Sequence, residues 1–129
     1  MNLIRWTDSL SLKNLQIDHQ HKELIRLTNN LILNSNAHVH SEIIGETLHE
    51  LLMYSKRHFK SEEEFLEKIN YPKLAEHRAN HEEFVYEIAM FCEDVMNGKS
   101  TVTKEMIQYL VKWIVNHTSK DDLDYKNYI

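Results

Sequence analysis

Apolar residues recur along this chain at alternating intervals of four and three, the spacing that keeps one face of an α-helix dry. Four segments carry the pattern. Ile17, His21, Leu24, Thr28 and Leu31 predict a helix over about 18–35, with Asp18 as its N-cap. Ile44, Leu48, Leu51, Ser55, His58, Glu62, Phe65 and Ile69 predict a second over about 41–69, opened by Ser41. His77, His81, Phe84, Ile88, Phe91 and Val95 predict a third over about 72–97, with Pro72 at its first position and Gly98 closing it. Ile107, Leu110, Ile114 and His117 predict a fourth over about 103–120, capped by Thr103. Residues 1–16 hold Trp6, Leu10, Leu12 and Leu15 without clean periodicity and read as an N-terminal arm packed on the helices. Short polar loops join the segments. The expectation is one all-α domain over 1–129, an antiparallel up-down-up-down four-helix bundle with an arm.

The stripes are interrupted by residues that cost free energy to bury. A buried histidine or glutamate needs a partner. His21 lies early in the first helix and His58 and Glu62 late in the second; His77 and His81 lie early in the third and His117 late in the fourth. In an up-down-up-down bundle these positions fall at the same end and meet in one layer. His77 and His81, four apart, are rotated by about 40° and so project from one helix face. Arg78 stands where a zinc protease would place glutamate. His38 and His40 fall in a loop, and His19 and His49 lie off the stripes.

Composition narrows the reading. Two glycines and one proline in 129 residues argue against an all-β fold. A net charge of −5 offers no basic footprint for nucleic acid. No apolar run approaches the roughly 18 residues that span a bilayer, and the N-terminus has no apolar signal segment. Cys92 is the sole cysteine, which makes a reducing cytoplasm the expected location. Nine histidines are many for this length and point to a metal.

Imidazoles with carboxylates and no thiolate suit iron ahead of zinc, copper or manganese. Six or seven protein ligands exceed the four of one zinc, so two metals are expected, bridged by Glu62. A second carboxylate should come from the tail. Regular helix spacing favours Asp121, whereas Asp122, five residues after His117, reaches the layer only if the helix ends or widens there. Spacing leaves that choice open.

The segments Ile17-Asp18-His19-Gln20-His21, His58-Phe59-Lys60-Ser61-Glu62-Glu63, Tyr71-Pro72, His77-x-x-x-His81 and Trp113-Ile114-Val115-Asn116-His117 with Asp122 resemble hemerythrin, specifically its single-domain bacterial form. The likeness runs from Trp6 to about Asp122. It implies a four-helix bundle that binds O2 reversibly at a non-haem di-iron centre. It implies His77, His81 and His117 on one iron, His21 and His58 on the other, and Glu62, Asp122 and an oxo or hydroxo group as bridges. It thereby selects Asp122. It also implies an O2 pocket lined by Leu24, Phe59, Trp113, Ile114 and Thr118. Two residues depart from the family pattern: Lys13 replaces a frequent glycine, and Thr118 replaces a bulky aliphatic residue.

The leading expectation is therefore oxygen storage, delivery or sensing, with O2 as ligand. An undefined redox or oxygen-consuming protein is the partner left open. The chain ends soon after the ligands, which favours a carrier over a sensor with an output domain. The alternatives are a di-iron oxidase or peroxide-reducing enzyme, or an iron-handling protein. Ferritin-like oxidases carry two Glu-x-x-His motifs; here only Glu46-Thr47-Leu48-His49 fits, away from the layer.

Overall fold

The computed structural model describes residues 3–36, 41–97, 104–118 and 123–128. Four α-helices account for most of them: α1 (Leu15–Asn36), α2 (Ser41–Lys68), α3 (Leu74–Met96) and α4 (Lys104–Asn116). Short 3-10 turns lie at Asp8–Leu10 and Leu123–Tyr128. α1 packs on α2 and α4, and α3 on α2 and α4. The protein is an all-α four-helix bundle. Among the described residues no helix is long and apolar enough to cross a membrane.

Helix ends differ from the sequence expectation for identifiable reasons. α1 begins at Leu15, earlier than expected, because Asn14 is the cap: its Oδ1 accepts the Ile17 N–H at 3.1 Å. Asp18 serves the arm instead, accepting from Leu12 N at 2.9 Å and Ser11 Oγ at 2.6 Å. Lys13, between them, has φ 59°. This left-handed turn suits the glycine of the family pattern and strains a side-chain-bearing residue. At the far end of α2, Asn70 takes φ 55°. The Tyr71 N–H reaches the Leu66 carbonyl at 3.0 Å and the Asn70 N–H the Glu67 carbonyl at 3.1 Å. That is a Schellman cap with asparagine in the glycine position. Pro72 lies in the turn that follows, closed by Leu74 N donating to Tyr71 O at 3.3 Å, and α3 starts at Leu74. Pro72 is thus not the first helical residue. The expected caps Gly98 and Thr103 lie outside the described residues.

The stripes also drift. On α3 the buried positions are His77, His81, Phe84, Ile88, Cys92 and Val95, so Cys92 replaces the half-buried Phe91. On α2, Leu66 is buried and Phe65 only partly. A straight helix of 3.6 residues per turn slips about 20° per heptad, and two successive steps of four restore the face.

The arm is clasped to α1. Asn29 accepts the Ile4 N–H at 2.8 Å and donates to the Ile4 carbonyl at 2.9 Å. Lys22 sits 5.0 Å above the Trp6 ring.

The core falls into two apolar clusters. The larger includes Leu24, Leu48, Leu51, Phe59, Phe84, Ile88, Leu110 and Ile114. The smaller, at one end, joins Leu12, Ile17, Leu66, Tyr71 and Tyr125. On α1 the order is Ile17, His21, Leu24, and on α2 it reverses to Phe59, Glu62, Leu66. The histidine positions therefore lie between the two clusters.

Candidate metal centre

Each ligand-type residue on the stripes reaches this layer. His21, His58, Glu62 and His117 are at most 1% exposed, His81 2% and His77 5%. Glu62 is the centre. Its Oε2 lies 3.4 Å from His21 Nε2, 3.2 Å from His58 Nε2 and 3.6 Å from His117 Nε2. Its Oε1 lies 3.1 Å from His81 Nε2 and 3.6 Å from His77 Nε2. The two oxygens thus divide the imidazoles into two sets, each able to hold a cation: His21, His58, His117 with Glu62, and His77, His81, His117 with Glu62. His117 belongs to both, its Nε2 being 3.4 Å from that of His58.

The donor chemistry fits a metal. Glu62 Oε1 and His81 Nε2 are buried and face one another without the geometry of a hydrogen bond. A cation between them would satisfy both. Protonation states agree. Burial pushes His58 down to about 4, outweighing the pull of Glu62 in the other direction. Burial alone would raise the Glu62 carboxyl, but the surrounding imidazoles, His117 and His58 foremost, bring it well below its usual range. A neutral imidazole beside an ionised carboxylate is the ligand form of both.

Aromatic rings wall the layer on the large-cluster side. Phe59 stacks on His81 with centroids 4.0 Å apart, and Trp113 on His117 at 4.7 Å. Phe84 stacks on Trp113 at 4.1 Å. Leu24 and Ile114 are fully buried. Thr118 is buried as well. Its hydroxyl donates to the Ile114 carbonyl at 2.9 Å, and the residue lines a groove under the arm with Leu3, Ile4, Leu10 and Val115. The hydroxyl proton is therefore engaged within its own helix. At His117 and Thr118 the helix widens to π-type winding. Asp121 and Asp122 lie outside the described residues, as do His38 and His40. His19 and His49 are exposed.

Three contributors escaped the sequence reading. Gln20 Oε1 is 2.8 Å from His58 Nδ1, and Glu63 Oε2 is 2.8 Å from His81 Nδ1. Each is the chain neighbour of a stripe residue, so helix rotation turns it toward the next helix; adjacency was the available signal. Tyr125, fully buried, donates its hydroxyl to Glu62 Oε2 at 3.4 Å. It comes from the tail, and no spacing pointed to it.

A helical bundle whose core is divided by a layer of histidines around one carboxylate defines a non-haem metal-binding protein. The profile of the hemerythrin HHE cation-binding domain matches residues 14–129. The chain belongs to the hemerythrin family. It is 30% identical over 129 residues to a bacteriohemerythrin of Stenotrophomonas maltophilia, covering 100% of this chain and 83% of that one. It is 32% identical over 113 residues to a bacteriohemerythrin of Campylobacter jejuni, covering 88% and 85%. A crystal structure of wild-type hemerythrin superposes with a TM-score of 0.88 at 30% identity, covering 98% of this chain and 97% of that one.

Proposed function

We propose that this protein binds O2 reversibly at a non-haem di-iron centre. The observation that carries the reading is Glu62: fully buried, with imidazole nitrogens gathered on both of its oxygens at 3.1–3.6 Å. His77, His81 and His117 would hold one iron and His21 and His58 the other. Glu62 and Asp122 would bridge them with a solvent-derived oxygen. The π-type turn at His117 supports Asp122 over Asp121, because it breaks the four-residue spacing that favours Asp121. When bound, the iron pair supplies two electrons and one open coordination position for O2.

The chain's own residues do the rest. Glu62 neutralises cationic charge that the surrounding apolar clusters cannot solvate. Tyr125 fixes one of its oxygens from the tail side. Gln20 and Glu63 hold the His58 and His81 rings with Nε2 facing inward. Leu24, Phe59, Trp113 and Ile114 exclude water from the side facing the large cluster, which keeps protons from a bound ligand. Binding rather than turnover is favoured because Glu46 and His49, the one Glu-x-x-His pair, are both exposed and away from the layer. The single cysteine, buried on α3, supports a reducing compartment, the cytoplasm.

The test is anaerobic reduction of iron-loaded protein followed by air. A visible absorption that appears in air and vanishes on deoxygenation supports the carrier. Irreversible oxidant consumption would mean an oxidase. No change, or one metal per chain by elemental analysis, would end the reading.

A further inference from the structure

Two imidazoles, one from each side of Glu62, are braced differently. His58 is backed by Gln20, whose amide oxygen can only accept, so His58 Nδ1 carries the proton. The other end of that amide, Nε2, donates to Ser61 Oγ at 3.3 Å. His81 is backed by Glu63, a carboxylate, so its Nδ1 also carries the proton. Both rings therefore turn a bare Nε2 toward Glu62, 3.2 Å away for His58 and 3.1 Å for His81. The difference is charge. Glu63 bears a formal negative charge, and Arg78 holds its other oxygen, Nε to Oε1 at 3.2 Å. Arg78 is 46% exposed and shared with Glu67 at 3.7 Å, whereas Glu63 is 23% exposed and lies directly against the ring. Its charge is only partly offset.

We infer that Glu63 is a positioning residue that makes the two metal positions unequal: through its carboxylate it strengthens His81 as a donor, while Gln20 only orients His58. The inference rests on the two-metal reading above. A carboxylate behind an imidazole raises its basicity, and loss of such a partner lowers metal affinity by roughly ten- to a hundredfold. The metal beside His77 and His81 should be held more tightly and favoured in its oxidised state. His117, if bound there, would bias the order the same way. The order alone is thus no test, and the selectivity of variants is.

The experiment is anaerobic competition of the full-length iron(II) protein against a coloured ferrous chelator, comparing wild type, Glu63→Gln and Gln20→Glu. Wild type should release iron in two steps. Glu63→Gln should weaken the tighter step roughly ten- to a hundredfold and leave the weaker within twofold. Gln20→Glu should tighten the weaker step and leave the other unchanged. The midpoint potential should rise in Glu63→Gln. Equal weakening of both steps, or a fall in metal-free stability with no selective change, would make Glu63 merely structural and overturn the inference. Wild type holding two irons but releasing them in one step would overturn the inference and spare the function. Wild type holding fewer than two would overturn both.

Discussion

Replacement of Glu62 by glutamine keeps the shape of the side chain and removes one negative charge from the middle of the site. In the metal-free protein the loss is modest. Burial keeps His58 neutral near pH 7, so the variant chiefly loses the charged acceptor for Tyr125. A hydrogen bond to a charged group contributes about 1.5–3 kcal/mol. With two divalent irons bound, removing the carboxylate leaves one further uncompensated positive charge in a layer sealed by apolar clusters. Breaking a buried pair in this way costs about 3–5 kcal/mol. At 1.4 kcal/mol per tenfold, that is roughly a hundred- to several-thousandfold in summed metal affinity. Because Glu62 presents one oxygen to each set of imidazoles, the loss should fall on both irons together. His77→Ala, which touches one oxygen only, should spare the iron beside His21 and His58. The assay is iron per chain after anaerobic dialysis, with melting curves of loaded and chelator-treated protein. A Glu62→Gln protein that retains two irons with the wild-type spectrum, or that loses one alone, would refute Glu62 as the shared ligand.

Three further outcomes are expected. Asp122→Asn should disrupt iron binding and Asp121→Asn should be mild, read from iron content and the visible spectrum; the reverse would mean that the last turn of α4 keeps regular spacing to the bridge. Metal-free protein should lose stability as pH falls from about 6.5 towards 4, because the unfolded His58 takes up a proton at about 6.5 and the folded one only at about 4. The loss is nil above that window and amounts to about 3 kcal/mol at its foot, so urea midpoints that stay level across it would contradict the burial argument. Thr118→Val should leave iron content and the decay of the oxygenated band within twofold of wild type, since the hydroxyl is committed to Ile114; a large change in decay would place that hydroxyl at the ligand pocket.

Periodicity alone carried the bundle and the shared level of the site. A helix stripe has one dry face, and His21, His58, Glu62, His77, His81 and His117 occupy that face, so antiparallel packing had to bring them together. Spacing could not assign the caps. Asn14 and Asp18 are both good cap residues, and the left-handed turn at Lys13 decides between them. Nor could spacing reveal what stands behind each ligand. Gln20 and Glu63 look like ordinary polar surface residues until the neighbouring helix puts a ring nitrogen 2.8 Å away. Tyr125 follows a break in the helical pattern, so no register carries it to Glu62. The division of the imidazoles between two carboxylate oxygens belongs to the tertiary structure as well. The sequence determines which faces must be buried, because burial is a property of each helix by itself. Contacts across helices depend on rotation, axial offset and rotamer, and these are settled only when four helices pack at once.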